Sequence, residues 1–255
     1  MPVLTHAGVT LHYDRAGSGP AVLLIHGWNC NRTFWSRQVQ ALRDHHTVVT
    51  VDLRGHGTSS RPRTGYGIGV MADDLAQLVR ALGVSSVAVV GWSMGGMVAQ
   101  ELAKRLGDKA RALVLVCTTA GGLGDDAERV AAVKKTIADD YRAYARVFAA
   151  SFFKLGTEAP SYAWAAEQTQ KAAPAVAQAC LDSIVGFDQR KTLAKVKTPT
   201  TILHGRHDTL IPFSHGEVLA KGIKGAKLVP FDQSGHAPFL EEPDAFNEAL
   251  AKAVR

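Results

Sequence analysis

The chain has 255 residues, enough for one α/β domain, and its content of 46% hydrophobic and 20% charged residues excludes disordered and fibrous proteins. Its formal charge of +6 is scattered over 29 basic and 23 acidic residues without a block of like charges, so no nucleic-acid partner is expected. No apolar run reaches the length of a membrane span, and the first residues lack an export signal. The sequence therefore predicts a cytoplasmic protein without a membrane partner.

Strand-type and helix-type segments alternate along most of the chain. Strand-type runs occupy residues 3–6, 9–14, 21–27, 46–53, 86–92, 111–118, 200–205 and 227–232. Helical periodicity occupies residues 33–43, 68–82, 94–106, 215–222 and 243–253. This alternation predicts an α/β fold with a mostly parallel central sheet, in which ligands bind outside the carboxyl ends of the strands.

The alternation stops between residues 123 and 190, where helical stretches such as 129–153 and 173–187 follow one another without a strand. We predict a helical cap at 123–190, inserted into a core formed by 1–122 and 191–255. Five aromatic residues are candidates for a substrate-binding underside of the cap: Phe148, Phe152, Phe153, Trp164 and Phe187. The alternative, in which they only pack one cap helix on another, stays open.

A serine flanked by glycines lies where the strand at 86–92 passes into the helix at 94–106. Gly91, Ser93 and Gly95 match the pattern Gly-x-Ser-x-Gly of a nucleophile elbow, a turn so tight that side chains at the glycine positions would collide. The helix start places a positive dipole end where an oxyanion would form. The pattern predicts a catalytic serine.

A serine hydroxyl is a weak nucleophile unless a histidine takes its proton and a carboxylate orients that histidine. Asp208 follows the strand at 200–205, and His236 follows the strand at 227–232, so both lie downstream of Ser93 at strand ends. The chemistry also needs two backbone N–H donors for the oxyanion. We assign them to Met94, directly after the serine, and to Trp28, after the strand at 21–27.

Five motifs together resemble the α/β-hydrolase superfamily over essentially the whole chain. They are HGW (26–28), DLRGHGTS (52–59), GWSMGG (91–96), GRHD (205–208) and GHAPFLEEP (235–243). Within the superfamily, GWSMGG and HAPF resemble carboxylesterases related to the pimeloyl carrier-protein methyl ester esterase, cofactor-free haloperoxidases and perhydrolases, and oxoadipate enol-lactonases. The resemblance implies an α/β-hydrolase fold and a serine hydrolase that needs no cofactor.

The cap departs from one of these groups. The resemblance to the carrier-protein esterase implies docking of an acidic protein on basic cap residues, but 123–190 holds eight Lys or Arg and nine Asp or Glu. We therefore expect a small, uncharged, apolar ester as substrate. Perhydrolase, haloperoxidase or lactonase activity in the same site is an alternative, and so is a ligand receptor on the same fold. The sequence leaves the oligomeric state open.

Other polar residues near strand ends are assigned structural roles. Asp208 is preferred as the acid over Asp52, which precedes the serine, and over Asp232, because Asp208 combines the expected order with the GRHD motif. The remaining histidines at these loops are expected to brace them by hydrogen bonds: His26, His56, His204 and His207. The three cysteines are expected to be reduced and inert, and no metal-binding pattern is present in the sequence.

Overall fold

The computed structural model describes residues 2–124 and 126–255, in which eight strands form one sheet flanked by helices. Met1 of the predicted core and Asp125 of the predicted cap lie outside the described residues. The strands are β1 (Val3–His6), β2 (Val9–Ala16), β3 (Ala21–Ile25), β4 (Thr47–Val51), β5 (Val87–Trp92), β6 (Ala110–Val116), β7 (Thr200–Gly205) and β8 (Lys227–Phe231). The helices are α1 (Ser36–Leu42), α2 (Ile68–Ala81), α3 (Met94–Leu106), α4 (Ala127–Asp139), α5 (Tyr141–Ala150), α6 (Tyr162–Thr169), α7 (Pro174–Val185), α8 (Phe213–Gly222), α9 (Pro238–Glu241) and α10 (Pro243–Ala253).

The strands lie in the order β1-β2-β4-β3-β5-β6-β7-β8. Pairing is antiparallel for β1 with β2 and for β2 with β4, and parallel from β4 to β8. The predicted α/β fold with a mostly parallel sheet is thereby confirmed. After β3 the chain runs first to β4 on one side and then to β5 on the other, so the strand order reverses between β3 and β5. A crevice at such a reversal is the usual ligand site of an open parallel sheet.

The sheet is buried on both faces at its centre, which explains why its strands read as continuous apolar runs. Every residue of β3 and β5 is buried. Within β3, Leu23 and Ile25 belong to the core that α2 and α3 cover, while Val22 and Leu24 belong to the core that α1 and α10 cover. The two apolar layers fix the sheet and thus the loops at its carboxyl edge.

Helices α4 to α7 occupy the interval between β6 and β7 that was predicted as a cap. The helical stretch predicted at 129–153 is two helices, because Asp140 adopts an extended backbone with φ −151° and its carboxylate accepts the N–H of Ala143 at 3.0 Å. That bond caps α5, and the extended backbone of Asp140 ends α4. The ends of the interval meet where the Gln189 N–H donates to the Ala120 carbonyl at 2.6 Å. The division into core and cap stays a prediction.

Some element boundaries differ from the sequence prediction. Strand β2 runs two residues further, a 3₁₀ turn at Arg32–Trp35 precedes α1, and the short helix α9 was not predicted. Four residues with a proline at the start give too little periodicity to be recognised as a helix. Among the helices of residues 2–124 and 126–255, none combines the length and the apolar character needed to cross a bilayer.

Candidate active site

The turn between β5 and α3 holds Ser93 in a strained backbone conformation, with φ +56° and ψ −122°. Few residues other than glycine adopt a positive φ, and the surrounding hydrogen bonds hold this one in place. The Ser93 N–H donates to the Val116 carbonyl at 2.9 Å. Its own carbonyl accepts the Thr118 hydroxyl at 2.7 Å and the Gly96 N–H at 2.8 Å. The backbone on both sides is therefore fixed, as a nucleophile elbow requires.

The two glycines around Ser93 are required by backbone contacts. A Cβ on Gly91 would lie 2.2 Å from the Gly95 carbonyl oxygen, and a Cβ on Gly95 would lie 2.4 Å from that of His26. These carbonyl groups belong to the buried backbone of α3 and of the loop after β3, which cannot move aside as a flexible side chain can. This geometry explains the Gly-x-Ser-x-Gly spacing from contacts between neighbouring segments.

We expect Gly95→Ala to lower the free energy of unfolding by about 3 kcal/mol or more, because the added methyl group overpacks a rigid site. Gly67→Ala is the matched control, since its Cβ would meet nothing closer than a Val70 methyl group at 3.5 Å and its φ is −69°. Urea unfolding of both variants measures the difference. Equal losses of stability would contradict the steric account.

Asp208 and His236 form a buried hydrogen-bonded pair. The Nδ1 of His236 lies 2.7 Å from Oδ2 of Asp208, and both side chains are almost completely inaccessible to solvent. Oδ1 of Asp208 accepts the N–H groups of Leu210 and Ile211, each at 2.9 Å. Because a carboxylate only accepts, Nδ1 carries the proton and Nε2 is left as a proton acceptor.

His204 supplies a further contact to this carboxylate. Its Nε2 donates to the Ile211 carbonyl at 2.9 Å and lies 3.3 Å from Oδ2 of Asp208. Burial alone raises the pKa of Asp208, but the interaction with His236 and the hydrogen bonds of His204 and His236 to the carboxylate outweigh burial and hold the pKa of Asp208 below its ordinary range. Asp208 is therefore an ionised acceptor fixed from several sides.

Ser93 is half-buried and lines a cavity of about 140 Å³. Helices α3, α4, α5 and α7 and the loops after β3, β5, β6 and β7 form its largely apolar wall. The residues beside Ser93 are Trp28, Met94, Met97, Leu123, Val130, Val133, Tyr144, Phe148, Leu181, Ile184, Val185, Leu210 and Ile211. One charged residue, Arg129, lines it as well. The cavity thus lies at the reversal point between β3 and β5, where the fold predicts a ligand.

A second, larger cavity of about 590 Å³ lies at the amino ends of β6 and β7. Its lining includes Lys104, Asp108, Arg111, Lys195 and Lys197. None of the predicted site residues belongs to this lining, and ligands of parallel sheets bind at the opposite edge. The smaller cavity is therefore the candidate active site in spite of its size.

The two predicted oxyanion donors both border the cavity at Ser93. Within the described part of the chain, the backbone N–H groups of Trp28 and Met94 donate to no other protein group. The Trp28 side chain fixes its loop, because its indole donates to the Ala177 carbonyl at 3.1 Å and packs edge-on against Phe148 at 5.2 Å. Two uncommitted N–H groups beside a serine have the donor set of an oxyanion hole.

Ser93 and His236 are linked through Trp92. The Trp92 indole donates to the His236 carbonyl at 2.8 Å, and the two rings lie 5.5 Å apart. The Ser93 hydroxyl makes no hydrogen bond to a described residue. The structure therefore joins Asp208 to His236 directly, whereas Ser93 approaches them through its neighbour.

Of the five aromatic residues predicted to bind substrate, Phe148 lines the cavity. Phe152 is buried between Trp92, at 5.2 Å, and Phe148, at 4.9 Å. Trp164 packs on Phe34 at 4.7 Å, and Phe153 and Phe187 are buried in the two apolar cores. These four do not belong to the cavity lining, and a substrate-binding role for them stays a prediction.

The alternative acids and histidines lie in structural hydrogen bonds. Asp52 accepts the backbone N–H groups of Arg32 at 2.8 Å and Thr58 at 2.9 Å, so it fixes the turns around it. His26 contacts the Gly27 carbonyl at 2.7 Å and accepts the Leu53 N–H at 3.1 Å. The rings of His56 and His207 also bond to backbone carbonyls. Nδ1 of His56 lies 2.9 Å from the Arg54 carbonyl oxygen, and Nε2 of His207 lies 3.1 Å from the Asp232 carbonyl oxygen.

Cys117 was missed by sequence reasoning, although it adjoins the acid and histidine. Its Sγ and one ligand atom each of Asp208 and His236 lie within 4.8 Å of one another, the spacing of a metal site. However, Asp208 and His236 already form a hydrogen bond with each other. Burial, reinforced by the charge of Asp208, raises the pKa of the Cys117 thiol. A neutral thiol is a poor metal ligand, so the chemistry favours a hydrogen-bonded cluster. The sequence prediction of no metal stays a prediction.

Glu241 joins the loop that contains His236 to the segment that follows α5. One carboxylate oxygen accepts the Lys154 N–H and the other accepts the Gly235 N–H, each at 2.7 Å. Burial raises the pKa of Glu241 to about 7, with smaller increases from the charges of Glu242 and Asp208, against the lowering effect of the two N–H bonds. The sequence showed Glu241 within a motif but gave no sign of these partners.

This raised pKa predicts a pH dependence of stability. The folded chain binds the Glu241 proton more tightly than the unfolded chain, whose ordinary value is 4.5, so this contribution is complete below 4.5 and is lost as the pH rises through about 7. We expect the Tm of Glu241→Gln, relative to the unchanged protein, to rise by about 2–4 °C from pH 5 to pH 8. Thermal unfolding with the exposed Glu217→Gln as control measures it. Parallel profiles for Glu241→Gln and the unchanged protein would contradict the prediction.

Comparison with known proteins places the chain among hydrolases. The family described as alpha/beta hydrolase fold matches residues 20–243. The chain is 31% identical to a putative non-heme chloroperoxidase of Synechocystis, covering 96% of this chain and 94% of the relative. It is 30% identical to the pimeloyl-[acyl-carrier protein] methyl ester esterase of Chromobacterium violaceum, covering 96% of this chain and 98% of that relative.

Solved structures give the same result. An esterase from Exiguobacterium antarcticum superposes with a TM-score of 0.91 at 27% identity, covering 96% of this chain and 95% of the other. The enol-lactonase from Burkholderia xenovorans LB400 superposes with a TM-score of 0.91 at 25% identity, covering 98% of both chains. The resemblance that the motifs indicated is confirmed.

Proposed function

Because the chain belongs to the α/β-hydrolase family, we propose that it is a serine hydrolase that cleaves carboxylic esters of small substrates with an apolar group. The observation that carries the proposal is the combination of Ser93 at a strained, glycine-flanked turn with the buried Asp208–His236 pair at the same edge of the sheet. The esterase names among relatives and structural neighbours support it. The chemistry of each group follows from its surroundings.

In the proposed mechanism, Nε2 of His236 takes the proton of Ser93 as Oγ attacks the ester carbonyl carbon. The carbonyl electron pair moves to oxygen, and the N–H groups of Trp28 and Met94 bind that oxyanion. The ionised Asp208 stabilises the imidazolium through the Nδ1 hydrogen bond. Catalytic hydrogen bonds are often long before substrate binds and shorten in the complex, so the serine–histidine contact forms at this step.

The second half of the reaction regenerates the serine. The carbonyl re-forms and expels the alcohol oxygen, which takes the proton from His236 and leaves an acyl group on Ser93. His236 then removes a proton from water, the hydroxide attacks the acyl carbon, and Ser93 leaves with that proton. The products are an alcohol and a carboxylic acid.

The apolar cavity beside Ser93 sets the size of one substrate group. An engineered cavity of about 150 Å³ binds benzene, so about 140 Å³ accommodates a short acyl chain or one ring. We propose that the acyl group occupies it, and that Trp28, Tyr144 and Phe148 contact that group. The cytoplasmic location and the absence of cofactor, metal and nucleic-acid partners stay predictions.

Reaction with p-nitrophenyl acetate tests the proposal. We expect a burst of p-nitrophenol, then steady turnover, and a mass increase of one acetyl group on the peptide that contains Ser93. Binding without turnover would favour the receptor alternative. Two further reactions should be assayed, because similar proteins are named chloroperoxidase and enol-lactonase. They are the formation of peracid from acetate and hydrogen peroxide, and the hydrolysis of a lactone.

A further inference from the structure

Arg129 is the one charged residue among the described residues that line the cavity beside Ser93. It lies in the first turn of α4 and is exposed. Its backbone N–H donates to Asp126 at 2.9 Å, but no hydrogen bond or ion pair engages its guanidinium within 2–124 and 126–255. By contrast, Lys134 of the same helix pairs with Asp182 at 2.5 Å. The cavity therefore has an uncommitted cation at its edge.

Stability of the helix does not account for this arginine. A cation in the first turn of a helix faces the positive end of the helix dipole, which is unfavourable. The nearby Asp126 carboxylate caps the backbone of α4 and does not pair with the guanidinium. A bound anion would offset both the dipole and the unpaired charge.

The residues of the cavity favour one kind of anion, a carboxylate on an otherwise apolar group. A guanidinium binds a carboxylate through two parallel hydrogen bonds, and the remaining walls of the cavity carry no charge. We propose that the substrate group that occupies the cavity is short and apolar and ends in a carboxylate, which Arg129 binds. This inference rests on the proposed ester hydrolysis and names its substrate class as half-esters of short dicarboxylic acids.

The inference differs from the uncharged substrate expected from the sequence. That expectation used the net charge of the whole segment 123–190, in which acidic residues exceed basic ones by one. A net charge does not show which cation adjoins the serine. The cavity volume of about 140 Å³ suits a chain of roughly four to six carbons, because an engineered cavity of about 150 Å³ binds benzene, a six-carbon ring.

The test compares monomethyl esters of straight dicarboxylic acids of four to six carbons with methyl esters of monocarboxylic acids of equal length. We expect the unchanged protein to prefer the half-esters in kcat/KM, and Arg129→Met to lower kcat/KM on them by about 10-fold or more, mainly through KM. The neutral esters should change less than 2-fold. High salt should reduce the preference of the unchanged protein, because the ion pair is at the surface.

Arg142→Met, an exposed change on α5 away from the cavity, is the matched control, and Arg129→Lys should retain part of the preference. A second comparison uses acetyl esters of hydroxy acids and acetyl esters of simple alcohols. If Arg129→Met removes a preference for the hydroxy-acid esters, the carboxylate lies on the alcohol side of the substrate, and the half-ester assignment is overturned. Hydrolysis of both classes with a ratio that Arg129→Met leaves unchanged would overturn the inference while the proposed function stands. No hydrolysis of any ester would overturn the proposed function itself.

Discussion

Ser93→Ala is expected to lower kcat for ester hydrolysis by about 10⁵-fold or more, because Ser93 carries the one aliphatic hydroxyl among the described residues that line the cavity. The variant should fold. The serine at this position already tolerates φ +56°, and the hydrogen bonds at the turn involve its N–H and carbonyl, which alanine keeps. Steady-state kinetics with p-nitrophenyl acetate, together with thermal unfolding, measures both effects.

Two features make the serine experiment decisive. Ser214→Ala, an exposed change on α8, serves as control and should leave kcat unchanged. A fluorophosphonate should add to the unchanged protein and to the control at a single serine but not to Ser93→Ala. Retained hydrolysis by Ser93→Ala, purified free of contaminating esterase, would exclude Ser93 as the nucleophile.

Asp208→Asn is expected to lower kcat by about 10⁴-fold while substrate still binds. The asparagine oxygen can still accept the N–H groups of Leu210 and Ile211, so the loop should keep its shape. Its NH₂ group, however, would face Nδ1 of His236 and require that nitrogen to be unprotonated. The proton then resides on Nε2, and His236 can no longer act as the base toward Ser93.

Asp232→Asn is the matched control, because Asp232 is exposed and bonds only to Arg206 and His207 among the described residues. Its kcat should change less than 2-fold. The chemical shifts of the His236 ring nitrogens, measured by NMR, should report the exchanged tautomer in Asp208→Asn. Equal activity of the two variants would mean that another carboxylate orients the histidine.

Much of the fold was readable from local pattern. Continuous apolar runs such as 86–92 are typical of strands buried on both faces, and the structure has β5 there. The break at Asp140 was not recognised, because residues 129–153 keep helical character on both sides of it. One carboxylate that caps the following turn decides the break, and helical periodicity does not register a cap.

The sequence likewise indicated some residues of the candidate site and gave no sign of others. Ser93, Asp208 and His236 could be proposed because each follows a strand, and the carboxyl ends of parallel strands lie along one edge. The contact of Glu241 with Lys154 could not, since it joins a motif to the segment after α5, 87 residues away in the sequence. The proximity of Cys117 to Asp208 likewise depends on the pairing of β6 with β7.

By itself the sequence determined the sheet-and-helix architecture, the turn at Ser93 and the placement of Asp208 and His236 after successive strands. These depend on local periodicity and on the glycines that a tight turn needs. Only the tertiary structure decided which side chains of 123–190 line the cavity, among them Phe148 and Arg129 but not Trp164. A helix's sequence shows which of its faces is apolar, whereas the packing of several helices on the sheet determines which of those faces meets Ser93.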